Sequence, residues 1–318
     1  MKRNLRENMI LETIKDDYLL HLFKSLPPDR IEIFMLDHGN YRGAILHGTR
    51  MINQMRANHG YGPLETIICG HAYLAAGLMT SFIKGRDRIE LRIQCEGPVG
   101  GISAESTAEG MVRGYLENSP IPADSYENIY DISPLIGEGV LSITKKIERA
   151  KQPFTGWVSL EHGNIAQDLT YYFFKSEQKP TAFNLSVKFD DWGRVIGAGG
   201  LMIQAFPLAE DAVSAELDTR VRNLSSLGDL FSRGKETESI LMENFSDISP
   251  VIIGERDVRF YCHCSKERFA RFLSAMPIDE IEDIRDKGPF PLKTTCHNCN
   301  STYEFSREEM EEVYKMSR

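Results

Sequence analysis

The chain has 318 residues, a length that suits two unequal domains. Hydrophobic residues make up 42% and charged residues 26% of it, which excludes a wholly disordered or collagen-like chain. The net charge is −9, and because a negative chain repels phosphate backbones, general nucleic-acid binding is disfavoured.

Membrane insertion and secretion are also disfavoured by the sequence. No apolar run reaches the roughly 18 residues that a membrane span requires. The N-terminus mixes charges of both signs and lacks the apolar centre of a signal peptide. We therefore expect a cytoplasmic protein that binds neither a membrane nor nucleic acid.

The first part of the chain is predicted to be mainly helical. Helices are expected near Asn8–Leu26 and Arg42–Asn58, with a strand at Ile31–Leu36 between them. A long helix is expected over Leu64–Lys84, because proline at position 63 suits a first helical turn and glycine at position 85 suits a helix end.

From residue 88 the pattern changes to the alternation of apolar and polar residues that is typical of strands. Strands are expected over Arg88–Cys95, Val99–Ser103, Met111–Leu116, Gly139–Ile147, Gly156–Leu160, Thr181–Phe189 and Arg194–Ala205, and helices over Asn164–Phe174 and Glu210–Leu227. Long helices before and between antiparallel strands predict an α+β fold. In it, residues 1–227 form a large α/β-type domain with an antiparallel-rich sheet.

The segment 228–256 gives a weaker signal. Four glycines and prolines interrupt it, whereas Ile240, Leu241, Met242 and Phe245 keep it moderately apolar. It is too hydrophobic for a solvated linker and too interrupted for a stable core element. We interpret it as a metastable linker that folds only when docked on a neighbour.

Residues 257–318 form a second, small domain that contains four of the six cysteines. The four occur as two close pairs, Cys262 with Cys264 and Cys296 with Cys299, and 31 residues separate the pairs. Four thiolates suit the tetrahedral coordination of Zn²⁺ and leave no open position for substrate or water. The spacing therefore predicts one closed tetrathiolate zinc site, which would also stabilise a domain too small to be stable otherwise.

Several other residues are interpreted as structural. His263 and His297 lie inside the cysteine pairs and are expected to be exposed loop residues. Cys69 and Cys95 stand in a helical and a strand pattern, where core packing is the favoured interpretation. Ser306 with Glu309, three residues later, forms a capping box for a last helix over residues 307–316. No catalytic motif is present in the sequence, so we expect no enzymatic activity.

A tetrathiolate site is compatible with two functions. One is a constitutive zinc-ribbon module that binds nucleic acid or a polymerase. The other is a redox sensor, because thiolates are the nucleophiles that peroxide or hypochlorite oxidises, and disulfide formation expels the metal. Zinc contributes on the order of 10–16 kcal/mol to the folding of small zinc-dependent peptides. A disulfide contributes roughly 2–4 kcal/mol, so oxidation should unfold the small domain.

Such unfolding would remove the support of the linker and expose its apolar residues as a binding surface for other proteins: Ile240, Leu241, Met242 and Phe245. Charge helps to separate the two functions. Residues 255–318 carry 11 Lys plus Arg and 13 Asp plus Glu, and four thiolates on one Zn²⁺ add further negative charge. A nucleic-acid ribbon is expected to be basic, so the acidic balance favours the sensor.

The chain resembles the heat shock protein 33 family, also called the 33 kDa chaperonin, over nearly its whole length. The resemblance rests on the two cysteine pairs and on three further motifs: Leu91-Arg-Ile-Gln-Cys-Glu-Gly-Pro-Val-Gly-Gly101, Val112-Arg-Gly-Tyr115, and Asp168-Leu-Thr-Tyr-Tyr-Phe173 with Ser176-Glu-Gln178. It implies a redox-regulated, ATP-independent holdase chaperone that is inactive when reduced and zinc-bound.

The resemblance also implies how such a switch operates. Oxidation forms the disulfides Cys262–Cys264 and Cys296–Cys299, zinc is released and the linker unfolds. The active homodimer then holds unfolding client proteins during oxidative and heat stress. Two departures are visible: Cys95 stands where the family is expected to have glycine, and the segment 228–249 is less charged than the family's linker. A loose linker would make the reduced protein active as well.

Overall fold

The computed structural model describes residues 8–122 and 128–317. The chain divides into two compact units. The larger unit is residues 14–260, and the smaller combines the described residues up to Thr13 with the chain from Tyr261 onwards. Helices and mostly antiparallel strands make up both units, which confirms the predicted α+β class. Across the described ranges, no helix has the length and apolar character needed to cross a membrane.

The described part of the chain contains strands β1 (Arg30–Leu36), β2 (Tyr41–His47), β3 (Arg88–Cys95), β4 (Gly101–Thr107), β5 (Met111–Leu116), β6 (Gly139–Lys146), β7 (Phe154–Ser159), β8 (Thr181–Phe189), β9 (Val195–Ala205), β10 (Val251–Asp257), β11 (Arg259–Phe260), β12 (Leu292–Thr295) and β13 (Thr302–Phe305). Its α-helices are α1 (Asp17–Ser25), α2 (Thr49–His59), α3 (Pro63–Met79), α4 (Ser133–Ile136), α5 (Ile165–Lys175), α6 (Asp211–Arg222), α7 (Leu227–Ser232), α8 (Thr237–Phe245), α9 (Lys266–Ser274), α10 (Ile278–Lys287) and α11 (Arg307–Met316).

Two sheets organise the larger unit. The first has the strand order β10-β1-β2-β9-β8, and the second has the order β11-β5-β4-β3-β6-β7. Among the strands that the structure describes in these two sheets, every pairing is antiparallel except that of β11 with β5. Helix α3 packs against strands of both sheets and is buried along nearly its whole length. Because nearly all of its surface is buried, apolar residues occupy most of its positions.

The outer face of the first sheet is covered by α6, α7 and α8. Their apolar side chains form one buried cluster with those of the sheet: Phe34, Leu36, Tyr41, Ile45, Ala182, Leu201, Ile203, Leu217, Val221, Leu224, Leu227, Phe231, Ile240, Leu241 and Phe245. Helix α7 approaches β9 so closely that a Cβ atom on Gly197 would lie 1.9 Å from the carbonyl oxygen of Gly228. Only glycine at position 197 permits this backbone contact.

Three predicted helices differ from the structure. The helix expected over Arg42–Asn58 is β2 followed by α2, because residues 41–47 pair with strands on both sides. The helix expected over Asn8–Leu26 begins only at Asp17, where the Asp16 carboxylate accepts a hydrogen bond from the Leu19 N–H and so fixes the helix start. The helix expected over Glu210–Leu227 ends at Arg222, and Ser226 caps a separate helix that begins at Leu227.

The segment 228–256 lies within the larger unit and contains most of α7, all of α8 and most of β10. Gly234 and Pro250 lie between short elements, whereas Gly228 lies within α7 and Gly254 within β10. Gly234, for example, has a φ of +73° directly after α7. Each helix has nine residues or fewer, so packing rather than intrinsic propensity holds it in place.

We expect Gly197→Ala to lift α7 from the first sheet, because the added methyl group collides with the Gly228 carbonyl oxygen. Hydrogen–deuterium exchange in α7 and α8 should accelerate, by about tenfold for each 1.4 kcal/mol of docking free energy that is lost. Gly254→Ala is the matched control, since its new Cβ meets no atom within 4 Å. Equal exchange in both variants would contradict the close contact.

Candidate metal centre

The second cysteine pair lies at the tip of the β12–β13 hairpin. Thr295 and Thr302 form the last register pair before the turn. Within the turn, the Cys296 N–H donates to the Ser301 carbonyl at 2.9 Å, and the Asn300 N–H donates to the Cys296 carbonyl at 2.7 Å. Asn300 adopts a φ of +56°, a left-handed conformation that asparagine tolerates better than most residues. The tight turn leaves Cys296 and Cys299 buried side by side.

The first cysteine pair lies immediately before α9. The Ser265 side chain caps this helix by accepting a hydrogen bond from the Arg268 N–H. The buried Lys266 ammonium then pairs with the Glu309 carboxylate at 2.8 Å. Glu309 also accepts from the Ser306 N–H, and its own N–H donates to the Ser306 hydroxyl. This confirms the predicted capping box and joins the starts of α9 and α11.

These elements bring together all four cysteines that the spacing selected. The four sulfur atoms lie within 4.8 Å of one another. Cys262 Sγ is 3.8 Å from Cys296 Sγ, and Cys264 Sγ is 3.3 Å from Cys299 Sγ. A tetrahedron with Zn–S distances near 2.3 Å has sulfur–sulfur edges of about 3.8 Å, so the cluster has the size of a zinc site.

Burial and sulfur chemistry fit the same ion. Each of the four thiols is at most 7% exposed, which matches a closed site. Soft sulfur ligands favour zinc over the hard, oxygen-seeking Mg²⁺ and Ca²⁺. His263 and His297 are both exposed, as expected, and neither belongs to the cluster.

The thiols oppose one another's ionisation when no cation is present. Hydrogen bonds to Cys262 and Cys264, together with burial, raise the pKa values of Cys296 and Cys299 far above the ordinary range, although at Cys299 the bond to Cys296 acts in the opposite direction. At Cys264 the bond to Cys262 also acts to raise the pKa, but bonds to Cys296 and Cys299 outweigh it and lower the pKa to about 7. A bound divalent cation would allow all four to exist as thiolates.

The two remaining cysteines lie in the larger unit. Cys69 is fully buried in α3, and burial raises the pKa of its thiol. Cys95 ends β3 and is half-buried, and burial raises its pKa as well. Because the thiolate is the reactive form, both environments favour packing over redox chemistry.

The four apolar residues that the sequence analysis proposed for client binding all lie in α8. Ile240, Leu241 and Phe245 are at most 1% exposed and pack in the cluster on the first sheet, whereas Met242 is 48% exposed. In this conformation three of the four are therefore covered.

One part of the metal centre was missed by the sequence analysis. The Met9 sulfur accepts a hydrogen bond from the Cys262 N–H at 3.0 Å, and the Ile10 N–H donates to the Ser301 hydroxyl at 3.0 Å. These partners are 253 and 291 residues apart, so local periodicity contains no signal for them. The predicted helix over Asn8–Leu26 also gave no reason to expect these contacts.

Comparisons with known proteins agree with this architecture. A sequence model of the Hsp33 protein family matches residues 29–306. A 33 kDa chaperonin from Halalkalibacterium halodurans is 33% identical over 280 residues, which cover 87% of this chain and 95% of that protein. Another, from Aquifex aeolicus, is 30% identical over 280 residues, covering 86% of each.

A solved structure shows the same likeness in three dimensions. The crystal structure of the 33 kDa chaperonin (heat shock protein 33 homolog) from Thermotoga maritima superposes with a TM-score of 0.81 at 30% identity, covering 91% of this chain and 98% of that one. With the family match over most of its length and relatives of this similarity, the chain belongs to the Hsp33 family of chaperones.

Proposed function

We propose that this protein is a redox-regulated, ATP-independent holdase that binds unfolding proteins and prevents their aggregation under oxidative and heat stress. The observation that carries the proposal is the cluster of four buried cysteine sulfurs within 4.8 Å of one another. Membership of a chaperone family supplies the general activity, and the cluster supplies the means of regulation.

In the reduced state Cys262, Cys264, Cys296 and Cys299 would hold one Zn²⁺. The metal would keep the four sulfurs as thiolates and join the hairpin to the start of α9. A domain of about 60 residues buries too little apolar surface to be stable without such a link. The zinc-bound unit is therefore the folded, resting form.

Oxidation would proceed within each close pair, forming Cys262–Cys264 and Cys296–Cys299. Each pair gives two electrons to a peroxide, which is reduced to water, and each disulfide closes a loop of only a few residues. Neither disulfide connects the hairpin to α9, so the unit loses its link and unfolds. Two sulfur–sulfur contacts of the folded state join one pair to the other, Cys262 with Cys296 and Cys264 with Cys299, which are 34 and 35 residues apart. Disulfides across the pairs would instead keep the hairpin connected to the start of α9.

The linker would respond because it leads directly into this unit: β10 ends at Asp257, and Cys262 follows five residues later. If the segment 228–256 detaches, Ile240, Leu241 and Phe245 leave the cluster on the first sheet. Their partners on the sheet, such as Phe34 and Leu201, would be uncovered with them. Apolar surface of this kind binds unfolded proteins and also promotes formation of the homodimer.

The surroundings of the switch follow from its chemistry. Four reduced thiols at rest require a reducing compartment such as the cytoplasm. The net charge of −9 supports protein clients rather than nucleic acid or anionic membranes, and it argues against a zinc-ribbon module.

Chaperone activity can be measured with an aggregation assay. A chemically unfolded client is diluted into the protein and aggregation is followed by light scattering. We expect suppression by protein treated with peroxide at heat-shock temperature, and little suppression by reduced, zinc-loaded protein. If both samples suppress aggregation equally, the protein is a chaperone without a redox switch. If neither sample suppresses aggregation, the holdase proposal is wrong.

The pairing of the cysteines after oxidation can be determined directly. Peptide mapping of the peroxide-treated protein should find Cys262 joined to Cys264 and Cys296 joined to Cys299, with one zinc released per chain. Cys69 and Cys95 should stay reduced, because burial raises the pKa of each thiol. Recovery of the cross-pair bonds Cys262–Cys296 and Cys264–Cys299 would contradict the unfolding mechanism.

Docking of the linker on the first sheet can be weakened by a single substitution. Phe245→Ala removes a fully buried ring from the cluster on the first sheet, which typically costs about 3–5 kcal/mol. We expect the reduced, zinc-loaded variant to suppress aggregation without oxidant. Met242→Ala is the control on the same helix, since Met242 is 48% exposed. If both variants stay inactive when reduced, docking of α8 does not control activity.

A further inference from the structure

A short segment near the N-terminus contacts both halves of the metal centre. Asn8 forms an isolated β-bridge with Ser265, and the Met9 sulfur accepts the Cys262 N–H at 3.0 Å. Ile10 exchanges two hydrogen bonds with Ser301: its N–H donates to the hydroxyl at 3.0 Å, and the hydroxyl lies 3.2 Å from its carbonyl oxygen. We call residues 8–10 the clasp.

The clasp joins the two cysteine pairs independently of any metal. Its contacts at Cys262 and Ser265 belong to the first pair. Its contact at Ser301 belongs to the second, because the Ser301 hydroxyl lies 3.3 Å from Cys299 Sγ. Separation of the pairs therefore requires the clasp to detach from at least one of them. The clasp also lies outside residues 29–306, the part of the chain that matches the family.

Met9 gives the clasp its own sensitivity to oxidants. The thioether is oxidised by the same peroxides and hypohalous acids that oxidise thiolates, and Met9 is only partly buried, so an oxidant can reach it. We propose that Met9 is a second oxidation site of the switch, and that its conversion to the sulfoxide releases the clasp and speeds loss of the metal. This inference rests on the proposed function, since it assigns a regulator to the same four-cysteine site.

The reaction needs only the oxidant. A lone pair of the Met9 sulfur attacks one oxygen of the peroxide, a sulfur–oxygen bond forms and the oxygen–oxygen bond breaks. Sulfur loses two electrons, the oxygen bound to it gives up its proton, and the departing hydroxide takes up one proton and leaves as water. The product is polar and chiral, and its oxygen projects beyond the position of the sulfur that accepts the Cys262 N–H. The sulfoxide therefore does not fit in the position that the Met9 thioether occupies beside the Cys262 N–H.

The experiment mimics the sulfoxide with Met9→Gln and uses Met316→Gln as the matched control. Met316 lies in α11 of the same unit and is 49% exposed. Zinc content is measured first, and zinc transfer to a chromogenic chelator is then followed under reducing conditions. We expect transfer from Met9→Gln to be roughly three- to tenfold faster, as loss of one hydrogen bond implies, and transfer from Met316→Gln to equal that of the parent protein. Equal rates in both variants overturn the proposal.

Oxidation itself is tested by peroxide treatment of the parent protein and of Met9→Leu, which cannot form a sulfoxide. Peptide mass spectrometry should find Met9 sulfoxide before or together with zinc release. Met9→Leu should lose part of the acceleration that peroxide causes relative to its own basal rate. Zinc that leaves while Met9 is still unoxidised contradicts a regulatory role for Met9.

A second readout separates this inference from the proposed function. Hydrogen–deuterium exchange of the peptide that contains Cys262 reports the Met9 contact whether or not zinc is bound. Exchange should be faster in Met9→Gln than in Met316→Gln. A protein that purifies without zinc would contradict the proposed metal switch, whereas unchanged exchange at Cys262 would contradict the clasp.

Discussion

Mutual repulsion among four closely packed sulfurs is the constraint on which the smaller unit depends. Thiolates held within 4.8 Å of one another in a buried site require a cation, and the raised pKa values of Cys296 and Cys299 express the same conflict in its absence. The fold places the β12–β13 turn against the segment that precedes α9, and the thiols there are stable as thiolates only with a metal. In the switch that we propose, the stability of this unit therefore depends on the redox state of its sulfurs.

The larger unit is stabilised in a different manner. Helix α3 lies between two sheets and is buried against both, so apolar packing stabilises this part of the core. Cys69 lies within that helix, and burial keeps its thiol protonated. Side-chain packing therefore stabilises the larger unit, whereas the smaller unit brings four cysteine sulfurs together.

Helices α7 and α8 form a cover on the first sheet. It buries large side chains such as Phe231 and Phe245, yet it consists of short helices that packing alone holds in place. The contact between Gly197 and Gly228 shows that the docked arrangement is specific and closely packed. A cover of this kind is ordered when docked and has little intrinsic stability when it is released.

The sequence by itself determined the features that depend on local pattern. The α+β class, the strands Met111–Leu116 and Thr181–Phe189 and the capping box at Ser306 were predicted correctly, because periodicity and caps act over a few residues. The spacing of the cysteines was enough to select the four that the fold brings together. Only the tertiary structure decided that residues 41–47 form a central strand and that three of the four proposed client-binding residues are covered. It also decided that Met9 lies against Cys262, since contacts between residues 253 positions apart are fixed by packing and leave no trace in local sequence.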